Sequence, residues 1–451
     1  MKMAERLFYH QKEWMHVNSP AAPYTLRGFR SLHPTTRRLI AARFLRSIAQ
    51  GALAVDFVLY LHLRGWNAPE IGMLLMSGGL AGAALSLVVG VSSDRIGRKL
   101  FLLIYETGLA LGTGAVLLTQ DVWLLVLVAA LFGFGRGANG ASGPFAPAEQ
   151  AWLAQDIPAA RRGTVFSFNA ALQFWGMGVG SILSGFLPHL WPGATGPAAY
   201  DPLFALNLII AIINYVQIAT LHEETPKNGV ADSGMEPTAG QDEAAERTER
   251  AENLAVRQRE NKALTLLTIV NMVNALGVGV VAPLMPYWFS VRFGVGPEAI
   301  GPVYGLTFLL TGLSSLFVGR MSEQIGLTKS ILLPRLIGIV MLIALPLVPT
   351  FSMAAVLYVI RSIVNRGSMG ARQAFSVGLV RDQRRGLASS LNAVSWNVPA
   401  AVGPAVGGWL LGMGSLFWPF ALAAGLQLAY IVMFGAMLGP YDPQRKQANA
   451  G

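Results

Sequence analysis

Three carboxylates stand inside long apolar runs of this 451-residue chain: Asp56, Glu106 and Glu149. On insertion scales a charge at mid-bilayer depth costs about 2.5–3.5 kcal/mol, so a side chain kept there has a task. A carboxylate desolvated in an apolar cavity can take up and release a proton near neutral pH. All three are therefore candidates for proton coupling, and Asp56, past the middle of its run, is the foremost. The alternative for Asp56 is a structural role, bonded to a neighbouring span.

Seven arginines share the apolar runs: Arg43, Arg46, Arg136, Arg335, Arg361, Arg366 and Arg372. Arg43, Arg46, Arg335 and Arg372 lie near run ends and are expected to snorkel to the surface as anchors. Arg136 cannot carry a proton, but it can tune a carboxylate or hold an anionic group. With Asn139, Arg361, Asn365, Arg366, Trp175 and Trp396 it forms the set of substrate-cavity candidates. Arg361, Asn365, Ser368 and Arg372 recur at helical spacing and predict one polar stripe. Arg366 is expected to point about 140° away from Arg361. A stripe facing a cavity would favour anionic substrates; otherwise it packs on the eleventh span through Asn392 and Trp396. Phe168, Trp175, Tyr287, Trp288 and Trp396 are either cavity-lining aromatics or packing and interface anchors.

The elements that carry these residues are membrane spans. The chain is 53% hydrophobic and 13% charged, against about 25% charged in soluble domains. Apolar runs long enough to cross about 30 Å of hydrocarbon recur throughout. Twelve are expected, near 38–63, 70–91, 100–119, 122–154, 164–187, 201–222, 263–289, 299–319, 330–349, 352–380, 386–412 and 415–438. Lysines and arginines fall on one side of these spans, while the opposite loops hold Arg64 and Arg292. This asymmetry predicts cytoplasmic termini. The net charge of +10 is then topological, and no nucleic-acid partner is expected. There is no cysteine, so thiolate metal sites and disulfides are excluded. No signal peptide is evident at the start.

The chain reads as one unit written twice. Segment 1–37 is a cytoplasmic lead, 38–222 a first six-helix bundle, 223–262 a polar linker, 263–438 a second bundle and 439–451 a tail. Within the linker, 241–262 can form a solvated helix. Asp94 matches Glu323, Gly90 matches Gly319 and Ile71-Gly72 matches Ile300-Gly301, all 229 residues apart. Arg136 matches Arg366 at 230, and Asn169 matches Asn392 at 223. Glu149-Gln-Ala aligns with Arg372-Gln-Ala, which makes Glu149 and Arg372 gate candidates, as a pair or through the charged turn between spans 2 and 3.

That turn reads Gly90-Val-Ser-Ser-Asp94-Arg95-Ile-Gly97-Arg98-Lys99. It resembles the loop between helices 2 and 3 of the major facilitator superfamily of transporters. Arg136 with its following small residues is similar to that superfamily's helix-4 motif. The resemblance covers nearly the whole chain. It implies an all-α polytopic fold of twelve transmembrane helices in two pseudo-symmetric six-helix bundles. It also implies a conformational lock made by Gly90, Asp94, Arg95, Gly97, Arg98 and Lys99, with Glu323 in the second copy. One departure stands out: the G-P-x-x-G-G element of the superfamily's drug–proton antiporters is missing from span 5. It occurs instead in span 11, as Gly403-Pro404-Ala-Val-Gly407-Gly408.

Gly135-Arg-Gly137-Ala-Asn-Gly140 fits G-x-G-x-x-G, but with no preceding strand it is a helix-packing feature and not a nucleotide loop. No hydrolase, metalloprotease or ATP-binding pattern occurs, so an enzyme is not expected, no cofactor or metal is implied, and the driving force is an ion or solute gradient. The expectation is a monomeric secondary transporter of the inner (plasma) membrane, coupled to protons, exporting small, partly apolar molecules. The alternative is an organic-anion symporter or exchanger using Arg136, Arg361 and Arg366.

Overall fold

The computed structural model describes residues 29, 32–119, 121–134, 143–155, 157, 159–191, 193–223, 243–325, 327–367, 372, 375–376, 379–381 and 384–441. Among them the secondary structure is helical throughout. The first bundle comprises α1 (Pro34–Leu63), α2 (Ala68–Ile96), α3 (Arg98–Thr119), α4 (Val122–Phe132), α5 (Ala146–Gln155), α6 (Ala159–Ser184) and α7 (Asp201–Ala219). The second comprises α8 (Glu243–Val281), α9 (Met285–Phe293), α10 (Pro297–Ile325), α11 (Leu327–Ala344), α12 (Phe351–Gly367), α13 (Arg385–Gly412) and α14 (Trp418–Met433). The fourth expected span is thus α4 with α5. The seventh is α8 with α9, joined by a 3-10 turn at Ala282–Leu284. Described helices fall in each of the twelve expected spans, six to a bundle.

Local sequence fixes the ends of these helices. Asn67 and Glu70 form a reciprocal capping box at the start of α2. Asp121 caps α4, accepting from the backbone N–H of Trp123 at 2.7 Å and Leu124 at 3.0 Å. Between α2 and α3 the chain reverses in a single residue, Gly97, whose φ of 112° suits glycine. Leu111, Leu118, Trp123 and Val432 project outward, exposed on the bundle exterior. An apolar exterior over helices whose backbone bonds are internal is what lipid requires. By length and composition, eight helical stretches among the described residues can cross a membrane.

Inside the first bundle α1 is sheathed on nearly every side, with twenty of its residues buried. It packs closely on α6, while α8 packs in the same way on α13. The likeness reaches single contacts. Gly51 of α1 lies against the Met177 carbonyl of α6, and Gly279 of α8 against the Ala400 carbonyl of α13. Any side chain larger than hydrogen would collide with backbone at both places. These contacts put the first and seventh spans in register at 228 residues and the fifth and eleventh at 223.

The two bundles meet along two equivalent crossings, α2 with α13 and α6 with α10. Gly72 abuts the Pro404 carbonyl in one; its counterpart Gly301 abuts the Ser181 carbonyl in the other. The pseudo-twofold axis inferred from the repeated motifs is therefore present in the packing. On the face opposite the termini the bundles are drawn together. There the rings of His62 and Tyr287 lie 4.9 Å apart, and Gly185 approaches Pro297 and Glu298.

Candidate functional site

Deep in the first bundle, α1, α3, α5 and α6 bring four charges into one network. Arg46 donates through Nη2 to Glu106 Oε1 at 2.6 Å and through Nη1 to Glu149 Oε2 at 2.6 Å. Arg43 donates through Nη1 to Glu149 Oε1 at 3.0 Å and through Nη2 to Gln173 Oε1 at 2.6 Å. All four charged side chains are buried. Two arginines and two glutamates leave the network neutral, which is the condition under which such charges survive burial. The expectation that Arg43 and Arg46 snorkel is corrected: a buried partner lies closer than the surface. Glu149 pairs with α1 and not with Arg372. Beside this network a pocket is lined by Arg46, Gln50, Tyr105, Phe132 and Asn207.

The second bundle holds its pocket at the equivalent place, between α8, α11, α12 and α13. Arg335, Tyr358, Arg361, Asn365, Arg366 and Trp396 are among the residues that line it, together with Arg372. Arg335 is 2% exposed and donates through Nη1 to Asn274 Oδ1 at 2.9 Å. It is no surface anchor either, nor is Arg372, whose guanidinium stacks 4.7 Å from the Trp396 ring centre. Arg366 lies over Phe308 at 4.8 Å. Arg366 lines the pocket with Arg361 although about 140° of rotation separates them on α12; two long side chains reach one pocket from different faces of the helix. Asn365 presses on Gly338 of α11. Asn392 bonds Asn271 of α8 at 2.8 Å, so it serves the α8–α13 packing. Arg136, Asn139 and Ser368 lie outside the described residues.

Asp56 is isolated. It is 0% exposed, and neither carboxylate oxygen has a hydrogen-bond partner. Tyr200 and Glu298, at the face opposite the termini, are within electrostatic range of it. Its counterpart in the second bundle, by the register of the packed glycines, is the buried apolar Leu284.

Of the aromatic candidates, Trp396 lines the second pocket. Trp175 instead packs on Gly312 at the α6–α10 crossing. Trp288 is a core residue donating to the Leu416 carbonyl at 3.0 Å. Tyr287 faces His62 and Phe168 faces Phe29.

The charged turn is satisfied by its own bundle. Arg98 N–H donates to Glu223 Oε1 at 2.7 Å and Lys99 N–H to Glu223 Oε2 at 2.9 Å. A carboxylate thus sits at the positive end of α3. Lys99 Nζ donates in return to the carbonyls of Ala219 and Leu221, at 2.8 and 2.6 Å, at and just beyond the end of α7. Arg98 Nη1 reaches the Ala151 carbonyl of α5 at 2.9 Å. Arg95 is exposed, and Gly90 faces Pro147. The side chains of Asp94 and Glu323 lie outside the described residues. In the second bundle Glu260 plays the clamping part, accepting from Arg381 N–H at 3.0 Å and Arg384 Nη1 at 2.8 Å. Glu223 and Glu260 were not anticipated as functional or structural partners. The signal was the position of each acid one turn or less from a span end.

Two six-helix bundles about a pseudo-twofold axis, each with a buried polar pocket, define a polytopic carrier of small solutes. The sequence profile of the Major Facilitator Superfamily matches residues 39–262 and 267–451, and the chain belongs to that family. It is a multi-pass membrane transporter, not an enzyme. It is 23% identical over 449 residues to the uncharacterized membrane protein YJR124C of Saccharomyces cerevisiae, covering 95% of this chain and 99% of that one. It is 22% identical over 365 residues to the multidrug resistance protein MdtG of Proteus mirabilis, covering 79% and 82% respectively. Among solved structures, the D-xylose-proton symporter superposes with a TM-score of 0.65 at 12% identity, over 88% of this chain and 97% of that one. At such identities the structural likeness speaks to the fold alone.

Proposed function

We propose that the chain is a proton-coupled secondary transporter that works by alternating access and exports small, partly apolar molecules, with its termini in the cytoplasm. The observation that carries the coupling is Asp56: fully buried, with no donor on either oxygen. Leaving a bare carboxylate charge in an apolar interior is costly, and binding a proton removes that cost. Glu106 and Glu149, by contrast, are held by Arg46 and Arg43, which favours a framework role for both over proton coupling. The rocking of one bundle against the other would then carry the Asp56 proton from one side to the other. Export is favoured by the MdtG relatives, whose name records multidrug resistance.

The test uses inside-out vesicles energised by a pH gradient and challenged with a panel of small apolar compounds. A compound that dissipates the gradient through the wild-type protein should fail to do so through Asp56→Asn, while that variant still exchanges the compound down its own gradient. Undiminished coupling in Asp56→Asn would refute the assignment.

A further inference from the structure

The buried networks of the two bundles occupy equivalent positions, yet their charges differ. In the register set by the packed glycines, Arg43 and Arg46 of α1 correspond to Asn271 and Asn274 of α8. Glu106 corresponds to Arg335 and Glu149 to Arg372. The pair Arg46–Glu106, at 2.6 Å, is thus replaced by Asn274–Arg335 at 2.9 Å. The partners still touch, but the negative member is gone. The first network is neutral, whereas its copy carries two arginines and two neutral amides. Arg361 and Arg366 add two more positive charges to the same pocket.

Among the described residues no acid lies in the lining of this pocket. Between residues 263 and 438 the sequence has three acids, Glu298, Glu323 and Asp382, all near span ends. Arg335 lies within electrostatic range of both Arg361 and Arg372. The Nε atoms of Arg335, Arg361 and Arg372 are buried without a hydrogen-bond acceptor. Arg361 is itself 6% exposed and Arg335 2%. Guanidinium groups gathered with buried donors to spare, as at Arg335, Arg361 and Arg372, fit a bidentate oxyanion. Tyr358 and Trp396 on the same wall offer an apolar surface for the rest of the molecule.

We propose that this pocket binds a small organic anion carrying two negative charges, a dicarboxylate or phosphomonoester, as the transported solute. The anion supplies the charge that Glu106 and Glu149 supply in the first bundle. This rests on the alternating-access carrier reading, puts a dianion in place of its partly apolar solute, and does not depend on the role of Asp56.

The test is equilibrium binding to the purified full-length protein in phosphatidylcholine nanodiscs, read by thermal shift and salt-dependent titration. The probes are succinate and glycerol 3-phosphate, with succinamide, glycerol and benzylamine as neutral and cationic controls. The expected result is stabilisation by the anions alone, weakened at least tenfold in Arg361→Gln. A second variant guards against misfolding: Asn274→Asp restores the missing carboxylate beside Arg335. It should raise the melting temperature of the empty protein and weaken anion binding tenfold or more. The proposal falls if no anion is preferred over its neutral counterpart, or if anion binding survives both substitutions. It also falls if phosphatidylglycerol added to the nanodiscs binds the pocket while neither soluble anion does. Anion binding retained in Asp56→Asn keeps this inference separate from the coupling assignment.

Discussion

Glu223, just beyond the end of α7, grips the first two backbone N–H groups of α3 at Arg98 and Lys99, at 2.7 and 2.9 Å. Lys99 returns the favour by donating to the carbonyls of Ala219 and Leu221. The best-marked sequence motif of the chain is thereby stapled to the far end of its own bundle. Replacing Glu223 with Ala removes a helix cap and is expected to cost about 1 kcal/mol. Thermal unfolding in detergent measures it. Glu223→Gln, which keeps an acceptor, should lose less.

Breaking the buried pair of the first bundle should be far more damaging. Arg46→Gln strands Glu106 and leaves Glu149 to Arg43 alone, and Glu106→Gln strands part of Arg46. Each is expected to destabilise by about 3–5 kcal/mol, the range for removing one member of a buried ion pair. The double variant Arg46→Asn with Glu106→Arg copies the arrangement of the second bundle. A double-mutant cycle should show strong coupling between the two positions.

Asp56 should behave in the opposite sense. With no hydrogen bond to lose, Asp56→Leu installs the residue type found at the equivalent Leu284. The melting temperature is expected to hold or rise, while gradient-driven transport disappears. A trade of stability for function at one site is the signature to look for. A fall in melting temperature would show that the side chain is structural.

Closure of the face opposite the termini can be trapped. The sequence has no cysteine, so His62→Cys with Tyr287→Cys gives a clean background for a disulfide across the bundles. Oxidation should arrest transport, and reduction should restore it. Gly72→Leu forces a side chain into the Pro404 carbonyl, so cross-linking in that background should drop sharply.

The duplicated architecture was legible in the sequence because it repeats short, unusual strings: Ile-Gly before a span and Arg-Gly at mid-span. The charged turn between α2 and α3 was legible as a turn for the same reason. The buried networks were not, because depth along a span predicts snorkelling and says nothing of partners. Glu106 and Glu149 meet Arg46 across 60 and 103 residues of sequence. The clue lay in the spacing shared by Arg43/Arg46 and Asn271/Asn274, which becomes visible once Gly51 and Gly279 fix the register. That Arg361 and Arg366 share a pocket was not legible either, because about 140° of rotation separates them on α12 and the reach of two long side chains closes the gap.

The helix α8 runs without a break for 39 residues, about 58 Å at the usual rise. That is nearly twice the roughly 30 Å of hydrocarbon it must cross. The N-terminal part of α8 therefore runs on past the span, braced against its own bundle where Asn253 accepts from Arg381 at 3.0 Å, and its root within the bundle bears Asn271 and Asn274. Small rotations at the root become large displacements at the tip. A spin label or fluorophore placed near the helix's N-terminal end would act as a needle on a dial, reporting each swing of that bundle without touching the solute path.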